Sequence, residues 1–388
     1  MRRLLVIAVG ILIFCSGFLN LYADEVTELW SALYRRATTL QQKYEIMLNI
    51  VEQNRREMIP TLIEALEELL QNRSFRDKKE AAVHEKLQRL VIQELGQLKA
   101  REAADILYEV VRQTKNPYIK SDAIIALGQI GAKQYAYHIA GILKNVTLYR
   151  GENFQGEEAI AYGCIYALEK FRDPVGYMPV FLASLSGFSR RVKDAARKAL
   201  ATITDDPTEM LMDILLNEPD LPLKLEALRA EKISKASDEK KMALATEALK
   251  QSLEIGAQNI QEETYLRDMR IEALTLFIEL GKKYEEAINY IEQVIYRSRD
   301  VTEKMIAIEA LGSMGGDEAA RVLAGYLAYN NDRQQEGIPP ENNLLVISVI
   351  RALGRTGSRV GDQELLRAKY VGYPQSIIRE VNRVLEGK

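Results

Sequence analysis

Apolar residues recur along this chain at the spacing of one face of an α-helix. The clearest instance is DAIIALGQIG, from Asp122 to Gly131, and similar stretches return from Ile308 to Gly316 and from Ile350 to Gly357. The repeat has a large apolar residue at position 1, a basic residue at position 2, small residues at positions 5 and 8, and Leu at position 9. Because an α-helix turns once in about 3.6 residues, positions 1, 5, 8, 9 and 12 share one face. The pattern predicts a series of amphipathic helices that pack closely through their small residues.

The repeat can be aligned along most of the chain, and its period indicates the architecture. Position 8 falls at residues 94, 126, 167, 199, 230, 276, 310 and 352, so that successive copies lie 31 to 46 residues apart. Three copies break the pattern with a carboxylate, Glu94 at position 8, Glu231 at position 9 and Glu303 at position 1. Glycine at positions 10 and 13 of the best copies, as in Gly128 and Gly131, predicts helix ends, because glycine readily adopts the left-handed cap conformation.

A second apolar-periodic stretch precedes each copy. We name these stretches the A helices, and we name the helices that carry the repeat the B helices. The A helices are predicted at residues 60–70, 103–111, 136–143, 178–185, 210–216, 242–253, 287–295, 319–327 and 362–368. The sequence therefore predicts an all-α fold, an α-solenoid of about eight to nine antiparallel helix pairs.

The repeat resembles that of the HEAT-repeat family, in particular its HEAT-like branch also found in phycobilisome lyases. The resemblance rests on the basic residue at position 2, the paired small residues, and Ala-Leu-Gly followed by a second Gly, and it covers about residues 58–388. It implies a superhelix whose B helices line the concave side. Residues 24–57 are predicted to form an N-terminal helical cap. Because this fold hosts scaffolds, adaptors and some enzymes, function has to be argued from a site.

Residues 1–23 have the layout of a secretory signal peptide. An arginine pair precedes the apolar residues 4–21, and Ala23 supplies a small residue at the cleavage point. An uncleaved membrane anchor formed by residues 4–21 is the alternative, because this stretch approaches spanning length. Acylation of Cys15 is a third possibility, although Phe14 stands where a lipoprotein signal needs a small residue. We expect an exported, periplasmic protein.

Composition argues against nucleic acid as a partner. The chain has 52 Lys and Arg against 55 Asp and Glu, and removal of residues 1–23 takes away two Arg and no acid, which leaves 50 against 55 and a net charge of −5. A nucleic-acid-binding protein usually carries a basic excess. Cys164 would be the one cysteine of the mature chain, and its place at position 5 predicts a buried, unreactive thiol.

No residue pattern in the sequence predicts catalysis, a cofactor or a metal. The two histidines, His84 and His138, are interpreted as surface or cap residues. Some HEAT-type metalloenzymes that hydroxylate a modified lysine hold two irons with several His-Glu pairs, but His84-Glu85 is a single pair and cannot build such a site. Gly128 and Gly131 follow a helix and precede no Lys-Ser or Lys-Thr, so they predict no phosphate loop. We therefore expect a protein without enzymatic activity.

Positions 3, 7 and 10 are predicted to point away from the core, and several of them carry residue types that are enriched at protein interfaces. Candidates for a protein-binding surface on the B helices are Tyr162, Tyr166, Lys198, Arg229 and Arg351. The alternative is that such side chains pack between neighbouring B helices.

Three long steps of the repeat predict insertions between an A helix and its B helix, at residues 145–158, 254–266 and 329–343. In a solenoid these insertions fall on one rim, and the first carries two aromatic candidates, Tyr149 and Phe154. Neutral loop growth is the alternative.

The basic residues at position 2 are predicted to stack as a ladder from copy to copy. Their interpretation is structural, with pairing to the nearby acids Asp122, Asp194, Glu226 and Glu272, rather than an anion-binding stripe. The ladder consists of Lys120, Lys193, Lys224, Arg270 and Lys304.

The sequence thus predicts an exported scaffold or adaptor that binds a protein of unknown identity through its concave face and one loop rim. Two other functions stay open: a lyase-like enzyme that cradles a small molecule, and a structural subunit of an envelope assembly.

Overall fold

A computed structural model describes residues 25–72, 74–149 and 153–387. Over these ranges the regular secondary structure is helical and contains no strand. The predicted signal peptide or anchor at residues 1–23 lies outside them. In the described part of the chain, no helix combines the length and the apolar character that crossing a membrane requires.

The chain forms two compact units, Met1–Thr204 and Asp205–Lys388, which we name the N-terminal and the C-terminal unit. The described part of the N-terminal unit contains ten α-helices. They are α1 (25–36), α2 (Leu40–Glu52), α3 (Ile59–Gln71), α4 (Lys78–Gln97), α5 (Ala104–Gln113), α6 (Pro117–Ile130), α7 (Ala136–Leu148), α8 (Phe154–Phe171), α9 (Tyr177–Leu185) and α10 (Arg190–Ile203).

The described part of the C-terminal unit contains ten more helices. They are α11 (Thr208–Asn217), α12 (Leu221–Ile233), α13 (Asp238–Glu254), α14 (Ile260–Leu280), α15 (Glu285–Arg297), α16 (Val301–Met314), α17 (Gly316–Gln335), α18 (Asn343–Arg355), α19 (Asp362–Ala368) and α20 (Gln375–Glu386). Each predicted A helix corresponds to an odd-numbered helix from α3 to α19, and the repeat lies on the even-numbered helices α4 to α18.

Within each unit the helices are stacked in antiparallel A–B pairs. A helix packs on its B helix, and each B helix packs on the next B helix, as α6 does on α8 and α16 on α18. The predicted all-α solenoid is confirmed. The described residues contain twenty helices, or ten successive pairs instead of eight to nine, because α1 and α2 precede the aligned copies and α19 packs on α20. Neither α2 nor α20 carries the repeat, so the alignment could not find these two B-row helices.

The predicted core face is buried in the clearest copy, since Ile119, Ala123, Ala126, Leu127 and Ile130 are each at most 3% exposed. Positions 1, 5, 8, 9 and 12 therefore meet the core there, as the helical period requires.

The weaker copy on α12 departs from the pattern at position 3. Leu225, predicted to point outward from position 3, is buried at 3% exposure, so this prediction is wrong. Leu221, Leu225 and Leu228 follow one another at helical spacing and form the buried face of α12.

Glycine at position 10 does not end the helix, which corrects the prediction. Gly128 lies inside α6, where a Cβ atom would stand 2.7 Å from Cα of Ala167 on α8; at Gly312 of α16 the corresponding distance to Cα of Ala352 on α18 is 2.9 Å. Position 10 of one B helix thus meets the small residue at position 8 of the next, and only glycine fits. Position 13 is the true helix end, since Gly131 has φ 74° and caps α6.

The predicted insertions are largely helix, so the long steps lengthen helices more than loops. Only residues 255–259 and 336–342 separate α13 from α14 and α17 from α18. An asparagine side chain accepts a backbone hydrogen bond in the first turn of each of the three B helices that follow the long steps, and so starts that helix ahead of its first repeat position. These caps are Asn153 for α8, Asn259 for α14 and Asn342 for α18.

Candidate protein-binding grooves

The position-2 bases of the C-terminal unit are buried and bind the protein itself. Lys224 donates to the carbonyl oxygen of Leu215 and, at 2.5 Å, to Oε1 of Gln251. Arg270 donates to the Ser252 carbonyl oxygen at 3.1 Å. The contacts with Leu215 and Ser252 join a B helix to its own A helix, and the contact with Gln251 joins α12 to the next pair, as a structural ladder would.

Arg270 and Lys304 complete their contacts with carboxylates. Arg270 forms ion pairs with Glu303 and, at 3.0 Å, with Glu263, and Lys304 forms one with Glu341. Both buried bases are therefore held by acceptors of the protein itself, as expected for a structural ladder.

The acids predicted to neutralise the ladder pair with other bases instead. Asp122 accepts from Nε of Arg89 at 2.6 Å, and Glu226 and Glu272 both pair with Arg229, at 2.8 and 3.0 Å. Asp194 pairs with two arginines of its own helix. The prediction of these partners was wrong because each acid lies one or two residues after the ladder base of its helix, on the outer side.

The side chains of two ladder residues, Lys120 and Lys193, have no hydrogen-bond or ion-pair partner among the described residues. Both belong to the N-terminal unit. The ladder side chains of the C-terminal unit therefore bind acceptors of the protein itself, whereas Lys120 and Lys193 of the N-terminal unit do not.

A groove of about 460 Å³ crosses four consecutive B helices of the N-terminal unit. We name it the N groove. Its lining comes from α4, α6, α8 and α10 and consists of Arg89, Tyr118, Ser121, Asp122, Ile125, Gln155, Glu158, Ala159, Tyr162, Ser189, Arg191 and Val192.

Charges inside the N groove are matched within the chain. Arg89 pairs with Asp122, and Glu158 accepts from the backbone N–H of Ser189 at 2.5 Å. The guanidinium of Arg191 lies over the Tyr162 ring, 4.8 Å from its centroid, which is a cation–π contact. With its charges occupied, the groove presents aromatic and aliphatic surface, to which the half-exposed Tyr118 also contributes.

A second groove, of about 530 Å³, crosses the B helices α16, α18 and α20 of the C-terminal unit. We name it the C groove. It is lined by Met305, Ile308, Glu309, Ser348, Arg351, Gly354, Arg355, Arg383 and Val384.

Arginines dominate the C groove, and carboxylates pair with each of them. Arg351 donates to both oxygens of Glu380, at 2.9 and 3.4 Å, and Arg355 pairs with Glu309 at 2.9 Å. Arg383 also pairs with Glu380. The hydrogen bonds from Arg351 lower the pKa of Glu380 below its ordinary value, which keeps this carboxylate charged.

The structure brings two of the seven candidates into these grooves, Tyr162 into the N groove and Arg351 into the C groove. The Tyr166 ring lies against Gly128 of α6: a Cβ atom built on Gly128 would stand 3.4 Å from it. The ammonium group of Lys170 lies 5.3 Å from the centroid of the same ring. Tyr166 thus matches the alternative interpretation, packing between neighbouring B helices.

The remaining four candidates line neither groove. Arg229 is held by Glu226 and Glu272, and Lys198 is exposed on α10. Tyr149 and Phe154 flank the α7–α8 connection with exposures of 77% and 43%, and residues 150–152 between them lie outside the described ranges.

Sequence reasoning missed Tyr118, Arg191 and Arg383. Tyr118 and Arg191 stand one residue before position 1 of their copies, on the first helical turn, and a scan of that position would have found both. Arg383 lies on α20, which carries no repeat.

The remaining candidates for chemistry have structural surroundings. Cys164 is fully buried, and burial raises the pKa of its thiol. His84 is buried and its Nε2 lies 2.9 Å from the Leu69 carbonyl oxygen in the last turn of α3, while desolvation lowers its pKa. Over the described ranges, no three His, Cys, Asp or Glu side chains gather as they would around a metal ion.

Comparisons with known proteins concern the repeats. Residues 79–150, which span α4 to α7, match the sequence model of HEAT repeats. Among solved structures, an engineered protein is similar at 16% identity, with a TM-score of 0.36 over 92% of this chain and 98% of that one. Human deoxyhypusine hydroxylase in complex with glycerol is similar at 15% identity, with a TM-score of 0.28 over 88% of this chain and 99% of that one. The search of curated proteins found no match. The chain carries HEAT-like helical repeats, as the sequence predicted.

Proposed function

We propose that this chain is an exported, non-catalytic adaptor that binds another protein through the N groove. HEAT-like repeats make it a helical scaffold capable of protein binding. One observation carries the finer proposal: four consecutive repeats contribute to a single groove whose aromatic and aliphatic lining includes Tyr118, Ile125 and Tyr162. Tyrosine and arginine are enriched in the cores of protein interfaces, where they supply large contact area.

The pairing of charges in the groove supports binding over catalysis. General acid–base chemistry needs a titratable group held free and within reach of a substrate. In the N groove Asp122 is neutralised by Arg89, and Glu158 is held by a backbone N–H. What is left for a ligand is shape and apolar contact, which suits an extended segment or a helix of a partner protein.

A pair of charge reversals on α10 tests the groove. Arg191→Glu removes the cation over Tyr162 and places a carboxylate in the N groove, whereas Arg190→Glu makes the same change one residue away, at a side chain that is 95% exposed and does not line the groove. A photo-crosslinking amino acid at position 125 reports the partner in the native cell envelope. We expect R191E to abolish the crosslink and R190E to preserve it, with both variants folded by circular dichroism.

Equal crosslinking in the two variants would remove the N groove from the proposal. The export part rests on the layout of residues 1–23 and is tested separately. N-terminal sequencing of the protein recovered from the periplasm should begin at Asp24. Recovery from the cytosol with Met1 intact would contradict it.

A further inference from the structure

The A-helix side of the N-terminal unit carries a different kind of groove, of about 580 Å³. We name it the A groove. Its lining comes from α5, α6, α7 and the α9 region and consists of Tyr108, Val111, Arg112, Lys120, Tyr137, His138, Ala140, Gly141, Ile142, Lys144, Asn145, Val175 and Pro179.

A cluster of rings separates the two A helices at this groove. Tyr108 of α5 stacks on Tyr135 at 4.2 Å between centroids, and His138 of α7 lies 5.2 Å from Tyr108. The Tyr135 hydroxyl donates to Asp105 at 2.6 Å, which fixes the stack. The backbones of α5 and α7 consequently approach each other at fewer points than those of α7 and α9. Lys120 of the B helix α6 also lines this groove.

Gly141 has no side chain, so the helix backbone in the middle of α7 is uncovered at this position. A Cβ atom built there meets no protein atom within 4 Å, so neither close packing nor a special backbone angle requires glycine. Glycine inside a helix costs about 0.5–1 kcal/mol relative to alanine. Lining residues from both flanks of α7, Tyr108 on one side and Val175 on the other, therefore face one continuous depression.

The A groove is basic although the chain as a whole carries a net charge of −3. Arg112, Lys120 and Lys144 line it, and no carboxylate does. Arg112 is paired with Glu109 at 3.0 Å, but the ammonium groups of Lys120 and Lys144 have no hydrogen-bond or ion-pair partner among the described residues. Lys120 differs in this from the ladder bases Lys224 and Lys304, which bind acceptors of the protein itself.

We propose that the A groove binds an acidic peptide segment of a partner protein. A carboxylate of the peptide pairs with Lys120 and Lys144, and an apolar side chain next to it crosses α7 over Gly141, between Tyr137 and Val175. Charge complementarity selects the partner, because two cations without counter-charges stand beside apolar surface. A lipid surface fits less well: Lys120 is partly buried on the inner helix α6, where a peptide side chain reaches and a flat membrane does not. This inference does not depend on the N groove.

Fluorescence anisotropy of the full chain with a labelled eight-residue peptide of alternating Glu and Phe tests the proposal. We expect binding that weakens as salt is raised. The same peptide with Gln in place of Glu should bind about tenfold more weakly, and Lys120→Gln combined with Lys144→Gln should lower the affinity for the Glu peptide by about the same factor.

Substitutions at Gly141 separate occupancy of the groove from charge. Gly141→Leu fills the crossing point with a side chain that meets no protein atom at its Cβ, and it should weaken peptide binding about tenfold. Gly141→Ala is the matched control and should stay within about twofold of the wild type. Circular dichroism and thermal melts confirm that each variant is folded.

Several outcomes would overturn the proposal. Equal affinity for the Glu and Gln peptides would show that charge plays no part, and undiminished binding by the double lysine variant or by G141L would place the peptide elsewhere. Binding to anionic phosphatidylglycerol vesicles without binding to the peptide would assign the groove to a membrane. Arg191→Glu serves as the cross-check, since loss of peptide binding in that variant would mean that the probe occupies the N groove.

Discussion

Glu231 is a carboxylate buried at the position that the repeat reserves for leucine. It has no exposed surface; Oε1 lies 2.7 Å from the Thr208 hydroxyl oxygen, and Oε2 has no hydrogen-bond partner in the described part of the chain. Desolvation raises its pKa above the ordinary value. A carboxyl group whose pKa is raised by folding adds stability below its unfolded pKa and loses that contribution as pH rises through the folded value.

Glu231→Leu should therefore stabilise the protein at pH 7 by about 1–3 kcal/mol and have little effect near pH 4. The leucine restores the apolar residue of the repeat, and Thr208 keeps Asp206 as an acceptor at 2.7 Å. Urea unfolding at the two pH values measures the difference. Glu226→Leu on the same helix is the control, since Glu226 is partly exposed and paired with Arg229. A loss of stability at pH 7 in E231L would contradict the argument.

Glu303 also replaces an apolar residue of the repeat, but it should respond in the opposite way. It is 2% exposed and pairs with Arg270 and with the Ser298 hydroxyl. Glu303→Ala leaves the Arg270 guanidinium buried with one carboxylate fewer, and we expect a loss of about 3 kcal/mol in the free energy of unfolding. The neutral pair Arg270→Met with Glu303→Leu should recover most of that loss in the same urea titration. A double variant as unstable as E303A would show that the charges themselves are required.

At the scale of helices, two glycines of neighbouring elements should give opposite results. Gly128→Ala on α6 would bring Cβ to 2.7 Å from Cα of Ala167 and force α6 and α8 apart, which should cost about 1–3 kcal/mol. Gly141→Ala on α7 meets open space and should add about 0.5–1 kcal/mol. Thermal and urea unfolding measure both. If Gly141→Ala also lowered the free energy of unfolding, the higher helix propensity of alanine would not decide the effect at this position.

The sequence predicted those helices that belong to pairs with an apolar periodicity. Periodicity alone located every predicted A helix, because an amphipathic face is a local property. The role of Gly128 could not be predicted in this way, since it depends on how closely α8 approaches. The asparagines that cap α8, α14 and α18 are present in the sequence, but the first turns that follow them, as in α14, are polar. Because these turns have no apolar periodicity, the sequence pattern placed them in insertions instead of in helices. The α1–α2 pair and α20 lack the repeat altogether.

At the scale of the molecule, residue types were easier to predict than their partners. The sequence indicated that the position-2 bases form a ladder, and Arg270 and Lys304 do act structurally. Which acids neutralise them depends on the next helix pair, as with Glu303 and Glu341, and no spacing in the sequence gives that distance. For the same reason the sequence could name Tyr162 as a candidate, but it could not predict the contact between Tyr162 and Arg191. Nor could it predict that the Lys120 side chain lacks an ion-pair partner among the described residues.

Acid sensitivity of the whole chain follows from two opposing sets of titrating groups. Hydrogen bonds from basic side chains lower the pKa values of Glu64, Asp206 and Glu380, so their contribution to stability is present above their unfolded pKa and is lost as pH falls. Desolvation lowers the pKa of His84, which acts in the same direction. Glu94 and Glu231 act in the opposite direction, because burial raises their pKa values and favours folding at low pH.

Removal of the second set should steepen the acid response. In Glu94→Gln combined with Glu231→Leu, the groups left all lose stabilisation as pH falls, so the free energy of unfolding should rise more steeply from pH 4 to pH 7 than in the wild type. Urea titrations across this range give the two slopes directly. Glu226→Leu, which leaves both buried carboxylates in place, should keep the wild-type slope. Equal slopes in the double variant and the wild type would contradict this prediction. They would mean that Glu94 and Glu231 have the same pKa values in the folded and the unfolded chain, so that their burial does not make stability depend on pH.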